Sequence, residues 1–440
     1  MRSPQAHTLG PAAAAAAELA ACVQRNCHIA DARHAAGMTL CTYLLQMREF
    51  YRWEHGLPLG APLARDAVTA WMAEREALWA TLADEDYRPL PLPPCPDNGS
   101  GSTHFADPFD VDAVNAALAP LSLLYGAGVV GGARPVFFVA ELHARGRREG
   151  LAVLQAGRER ARTLLAPPAA LGSGADGPIV LRRESMARWC WEHAEAHAMR
   201  PRAGTALHAM LAHYGLDRDF PAGIPRWLDD QCETAQWHEI GEHRLNRRWG
   251  GAWAELRAAV RAAAVQGSEA AAIENGGEAA RAADAAHVAD AADAADAADA
   301  ARAAALAHAA RGDALVRALR DQLADLGVTL PALLARGDPG PLHAWFAGYD
   351  GLREATYPAL VTGYRAWRGG DSGDRSAGDG GALLRAQCTH GLRHFETLAA
   401  LLLQASPTRR DEARQRLLAQ GTTGIPAAVF CPWSASNQAR

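Results

Sequence analysis

The sequence contains no lysine; all 44 of its basic residues are arginine. Together with heavy use of alanine, this is the mark of G+C-rich coding, so an arginine here says less than usual about bidentate anion recognition. A dense basic footprint is missing too. The formal net charge is −5, which argues against a chain that neutralises phosphates along a duplex, so no nucleic-acid partner is expected. No run approaches the roughly eighteen apolar residues that a membrane span requires. Eight cysteines without a Cys-x-x-Cys pair are too sparse for a secreted disulfide scaffold, and a reducing, cytoplasmic setting is expected. Leu19-Ala20-Ala21-Cys22 has the form of a lipoprotein cleavage site, but Arg2 alone makes a weak basic region and Glu18 interrupts the apolar segment. The stretch reads instead as the Ala-rich start of a first helix.

What is present is a globular composition: 440 residues, 49% of them apolar, enough for two or three domains with an ordinary core. Apolar residues recur at helical spacing from Glu18 to Glu54, as one or two helices ending at Gly56 and Pro58, and again from Arg65 to Leu82. The segment 89–102, PLPLPPCPDNGSGS, reads as a linker or long surface loop. Between 135 and 183, PVFFVAEL, GLAVLQAG and PIVLRRE read as strands of a small hairpin or sheet. From Ser185 to about Gln404 the helical pattern returns, with turns expected at Pro201, Pro221, Pro225, Pro331, Pro339 and Pro341. The expectation is a mainly α, multi-helix protein in two lobes, 1–183 with the small β element and 184–440. An Ala/Asp insert at 265–312, with Asp290, Asp293, Asp296 and Asp299 winding round any helix axis, and a Gly/Ser-rich loop at 369–381 interrupt the second lobe.

Two motifs fail on context. Gly126-Ala127-Gly128-Val129-Val130-Gly131 fits the dinucleotide fingerprint GxGxxG, but strand-like sequence follows it where a helix must begin, so a flexible turn and no nucleotide cofactor are expected. Cys22, Cys27, His28, Asp31 and His34 lie together in CVQRNCHIADARHA, yet Cys-x4-Cys on a helix is not a zinc-knuckle spacing, and Asp31 and Arg33 read as salt-bridge partners between helices.

That same run, NCHIADARHA, followed by TLCTYLLQMREFYRWEHGLP, resembles the N-terminal signature of an uncharacterised bacterial family, a domain of unknown function with N- and C-terminal halves. PVFFVAEL, LLAPPA at 164–169, HEIGEH and the stretch from Asp321 to Trp367 carry the resemblance further. It implies no activity and no catalytic residues.

The octapeptide QWHEIGEH at 236–243 carries the sharpest chemistry. On a helix spanning 229–262, capped by Asp229 or Asp230, His238, Glu239, Glu242 and His243 share an arc of about 140°, opposite Trp237 and Ile240. This is not HExxH, so a zincin site is unsupported. Carboxylate and imidazole at i, i+3 and i, i+4 are instead the spacing by which helix bundles assemble iron or manganese sites, with zinc also accommodated. His193 and His197 in WEHAEAH form a second candidate pair, and His208, His213, His390, His394 and Glu396 are available on other helices. The alternative is an amphipathic surface helix. The functional expectation is a helical metalloprotein with an oxygen-activating or redox role. Its competitor is a non-catalytic scaffold that binds a protein partner or a second copy of itself through tryptophans such as Trp189, Trp191, Trp249 and Trp253.

Overall fold

The computed structural model describes residues 11–35, 40–93, 104–130, 134–164, 177–259, 312, 314–370 and 380–404. The Ala/Asp insert, apart from residue 312, and most of the Gly/Ser-rich loop lie outside the described residues. The protein is mainly α, as the periodicity predicts, with a four-stranded and a two-stranded sheet. The chain divides into two compact units, 1–236 and 237–440.

In the first unit the elements run α1 (Pro11–His34), α2 (Leu40–Glu54), α3 (Arg65–Leu82), β1 (Leu90–Leu92), β2 (His104–Ala106), α4 (Val111–Leu118), β3 (Leu123–Val130), β4 (Arg134–Arg148), β5 (Leu151–Arg162), β6 (Ile179–Arg182), α5 (Arg183–Met199) and α6 (Ala206–Tyr214). The end of α2 is set by Gly56, whose φ of 62° only glycine adopts without strain. The Gly56 N–H bonds the Trp53 carbonyl and the Leu57 N–H bonds that of Arg52, the double closure of a Schellman cap.

The sheet order is β3-β4-β5-β6, antiparallel except for the last pair. Alternation along β3 and β4 sends Tyr125, Phe137 and Val139 to one face, against Leu19, Val23 and Cys27 of α1 and Leu118 of α4. Leu124, Phe138 and Ala140 go to the other face with Ala156 and Val180. With both faces covered, PVFFVA reads as an unbroken apolar run. The β4–β5 hairpin closes on Glu149 and Gly150, with φ of 47° and 84°, the two positive values that a type I′ turn needs.

Residues 126–130 of the GxGxxG stretch lie in the strand β3 and not in a turn. Gly126 lies opposite Phe138, and a Cβ there would come within 2.1 Å of the Phe138 ring, so the glycine makes room for an aromatic side chain rather than for a pyrophosphate. The first-helix cluster is dispersed as well. The Cys27 thiol faces the Phe137 carbonyl, Asp31 accepts the Leu164 N–H, and His28 meets Arg75 and Trp79. Asn26 both donates to the Arg88 carbonyl and accepts from the Arg88 N–H. Arg33 reaches the carbonyls of Ala83 and Glu85 rather than a carboxylate. The signature residues thus pin α1 to its neighbours.

Helix α7 (Phe220–Trp249) is longer at its N-terminus than the proline rule predicts, because Pro221 falls in the first turn and Pro225 forfeits only one backbone bond near the start. Asp229 and Asp230 are therefore interior, paired with Arg183 and the Tyr214 hydroxyl, and not caps. The helix stops at Trp249 before Gly250, with φ of 51°, instead of running to 262.

The second unit comprises the rest of α7, α8 (252–259), α9 (314–324), a π turn (Asp325–Thr329), α10 (Leu330–Arg336), α11 (Pro339–Ala347), α12 (Gly351–Thr356), α13 (Ala359–Gly370) and α14 (Gly380–Gln404). Pro339 and Pro341 lie in the first turn of α11, where a missing N–H costs nothing, whereas Pro331 sits within continuous helix directly after the π turn. Trp249 and Trp253 are buried and pack edge to face, so they are core rather than a docking surface. No described helix is long and apolar enough to cross a membrane.

Candidate metal centre

One residue of the octapeptide decides which face of α7 is used. A Cβ at Gly241 would lie 2.8 Å from the Ala324 carbonyl oxygen and 2.9 Å from the Ala324 Cα and Cβ. Only a hydrogen fits, and α9 closes directly on the α7 backbone. His238 and Glu242, one turn apart, flank this contact, as does the buried Leu245. From α9 come Arg320 and Asp321, and from the π turn comes Asp325. There the Leu330 N–H reaches back five residues to the Asp325 carbonyl.

His238 Nδ1 is 2.8 Å from Oδ1 of Asp325, whose side chain is only 1% exposed. The Arg353 guanidinium holds the other Asp325 oxygen at 3.3 Å and also donates to the Gly348 carbonyl. This leaves His238 Nε2 facing Oε1 of Glu242 at 4.0 Å, while Arg320 holds Oε2 of Glu242 at 2.5 Å. Asp321 completes the group: one donor atom each from His238, Glu242 and Asp321 lie within 4.8 Å of one another. Two donors about 2.1 Å from a common ion stand about 3.0 Å apart when cis in an octahedron and about 4.2 Å when trans. Of three such donors at most one pair can be trans, so to hold an ion the others would have to close to about 3.0 Å.

Four carboxylates (Glu239, Glu242, Asp321, Asp325) share this region with one imidazole and two guanidiniums. Burial pushes the Glu239 carboxyl up to about 7, with Glu242 and Asp321 adding to the rise. Burial likewise pushes Asp321 up to about 6, helped by Glu242 and Asp325. For His238 burial works the other way, but Asp325, Asp321 and Glu242 overcome it and raise the imidazole to about 10. Asp325 is buried too, yet His238 and Arg353 hold it below the usual carboxylate range.

Of the residues singled out in the octapeptide, His238 and Glu242 converge, whereas Glu239 and His243 are not in the converging set. The arc centred on Glu239 is displaced from the stripe that meets α9, which is centred nearer His238 and Gly241. His193 bonds the Trp189 carbonyl one turn back, and His197 lies beside the His208 ring at 5.5 Å. Among the described residues neither joins a three-donor group. His213 meets Arg226, and Glu396 pairs with Arg248. Sequence reasoning missed Asp321 and Asp325, although their i, i+4 spacing in DQLAD was available as a signal.

The model of the N-terminal domain of a family of unknown function (DUF6866) matches residues 18–182, and that of the C-terminal domain of the same family matches 187–267 and 280–422. The chain belongs to this family. The DUF6866 C-terminal match covers every residue of the candidate centre and skips 268–279, within the Ala/Asp insert. No curated protein and no solved structure matches the chain.

Proposed function

We propose that this DUF6866 protein is a helical metalloprotein that holds a divalent ion on His238, Glu242 and Asp321. The observation that carries this reading is the convergence of three donors, two of which are already fixed in orientation from behind. Asp325 holds Nδ1 of His238 so that Nε2 faces the site, and Arg320 holds one oxygen of Glu242 so that the other faces it. A carboxylate behind a ligating imidazole is the arrangement that sets its tautomer and raises its basicity. Asp321 has no hydrogen-bond partner among the described residues and is free to ligate. One imidazole with two carboxylates is a hard, nitrogen-poor set that suits manganese or iron, with zinc accommodated. The His238 side chain is 26% exposed, which leaves a route for the ion and room for solvent at the remaining positions.

At such a site a bound iron or manganese ion would supply oxygen activation or other redox chemistry, with the carboxylates favouring its higher oxidation state. Unpaired cysteines at Cys22, Cys27, Cys190, Cys232 and Cys388 support a cytoplasmic location for that role.

The test is metal analysis of protein purified without a histidine tag, followed by calorimetric titration of the chelator-treated chain with Mn(II), Fe(II) and Zn(II). One ion per chain is expected, with affinity reduced about 10–100-fold in Asp325→Asn and lost in a His238→Gln, Asp321→Asn double variant. A Glu239→Ala, His243→Ala double variant should retain the ion. Equal binding by wild type and the His238→Gln, Asp321→Asn variant, or no binding at all, refutes the proposal. The second reading, a non-catalytic scaffold, is favoured by the ion pairs that His238, Glu242 and Asp325 already make within the protein, and absence of metal selects it.

A further inference from the structure

Three anchored segments of the first unit leave a half-open hollow between them. The loop after α2 is pinned by the Arg52 guanidinium, which donates twice to the Ala61 carbonyl at 3.1 Å and is itself held by Glu49. Gly60, with φ of 80°, lets this loop close on the Trp191 ring of α5, where a Cβ would come within 2.8 Å. Helix α6 starts on the Thr205 cap and ends at Gly215, where the Leu216 N–H reaches back to the Leu211 carbonyl. The hollow, of about 630 Å³, is bordered by the loop, α5, α6 and the start of α7. That volume is typical of small-molecule sites, and contacts within the protein alone set its walls.

The lining is mostly carbon. On α5, Trp191, Ala194 and Ala198 share one face at helical spacing, and the two alanines leave the space beside the indole unfilled. The Trp191 N–H is buried within the protein, so the part of that side chain still exposed is ring carbon. Phe220 packs edge to face on the same ring at 5.0 Å, and Leu63, Leu211 and Leu216 border the same space. Each Arg, Asp and Glu side chain at the hollow already has an opposite charge beside it. Arg48 pairs with Glu195 at 3.2 Å, Arg52 with Glu49, and Asp217 stands 4.0 Å from Arg218. His197 and His208 contact each other, with ring centres 5.5 Å apart. A charged ligand would therefore lose hydration against an apolar wall without meeting an unmatched counter-charge.

We propose that this hollow binds a small uncharged aromatic molecule, its ring packed against Trp191, Ala194 and Ala198. Aromatic rings gain from contact with an indole beyond the area they bury, and the matched charges around the rim select against a net charge of either sign. The proposal is independent of the metal reading, since no residue of the candidate metal centre borders the hollow.

The test uses 2-naphthylmethanol as probe, with 2-naphthoate and 2-naphthylmethylamine as anionic and cationic counterparts of the same ring, each titrated calorimetrically into the full chain. Saturable binding of the alcohol is expected, at least about tenfold tighter than either counterpart. Glu195→Gln leaves Arg48 unmatched and should raise the affinity for naphthoate about threefold, and Arg48→Gln should do the same for the amine, with the alcohol little changed in both. Ala198→Trp, at an exposed position bordering the hollow, should abolish binding of the alcohol, whereas Ala196→Trp, exposed on the same helix outside the hollow, should retain it. Far-ultraviolet dichroism checks that both tryptophan variants fold; if Ala198→Trp does not, the two charge variants decide. The proposal is overturned if the alcohol does not bind, if either ion binds the wild type as tightly, if neither charge variant shifts the preference, or if folded Ala198→Trp binds undiminished.

Discussion

Replacing Gly241 by alanine isolates the contact on which the candidate metal centre rests. In an ordinary helix interior the change stabilises by about 1 kcal/mol, because alanine loses less backbone freedom than glycine. Here the new methyl would stand 2.8 Å from the Ala324 carbonyl oxygen and 2.9 Å from the Ala324 Cα and Cβ, all atoms of a neighbouring helix and none the end of a flexible side chain. Restoring ordinary contact of about 3.5 Å requires α7 and α9 to part by about 0.6–0.7 Å. Overpacking of this kind costs about 1–3 kcal/mol, which cancels or outweighs the gain in propensity and leaves a net loss of up to about 2 kcal/mol. The same movement would stretch the 2.8 Å His238–Asp325 bond to about 3.5 Å, beyond useful hydrogen-bond length. Urea unfolding followed by dichroism should therefore show a lower midpoint for Gly241→Ala. Gly369→Ala, in α13 with no atom within 4 Å of the added methyl, should leave the midpoint unchanged or raised. If both variants are stabilised alike, α7 and α9 are not in backbone contact at Gly241 and the geometry of the centre fails with it.

Two further outcomes follow from buried charges in the first unit. Glu159 and Arg182 pair at 2.8 Å with both side chains fully buried, and the Ser185 hydroxyl donates to the same carboxylate oxygen. Glu159→Gln should cost about 3–5 kcal/mol by leaving the guanidinium uncompensated, while Glu159→Gln with Arg182→Met should recover much of that loss; a single-variant cost below about 1 kcal/mol refutes the pairing. Burial, with Arg75 and Arg25 nearby, pushes His28 down to about 3 from 6.5, so the native state excludes a proton that the unfolded chain takes up. Its contribution is complete above pH 6.5 and is lost as pH falls from 6.5 towards 3, by up to about 5 kcal/mol. Asp31, pushed up to about 7 by burial, works in the opposite sense, since the native state holds its proton more tightly and gains stability as pH falls from 7 towards 4. Stability measured against pH should therefore fall less steeply below pH 6.5 in His28→Gln than in wild type, and parallel curves would show that His28 titrates normally in the folded protein.

The local patterns carried most of the fold. Helical spacing marked α1 to α3 and the long C-terminal run, and β-branched and aromatic runs marked β4, β5 and β6. Strand β3 escaped notice because Gly126 and Gly128 mimic a loop, and its glycine requirement is visible only once Phe138 is known to lie opposite. The start of α7 was hidden by Pro221 and Pro225, since a helix boundary near proline depends on how many backbone bonds the surrounding packing can forgo. At the candidate centre, the octapeptide itself was legible, and His238 and Glu242 were within it. Which edge of its arc faces inward was not, because that is set by the Gly241–Ala324 approach across more than eighty residues of chain. Asp321, Asp325 and Arg353 are brought in by the same tertiary contact, and no spacing within the octapeptide points to them.

The π turn after α9 has a consequence for any comparison of related chains. A π turn holds one residue more than the α-helix it interrupts, so positions counted at 3.6 per turn from Asp321 fall out of step by about 100° once past Thr329. A relative lacking that one residue would look nearly unchanged in a sequence comparison. It would nonetheless present a different side of the following helix to its neighbours, and could not hold Asp325 behind His238 in the same way.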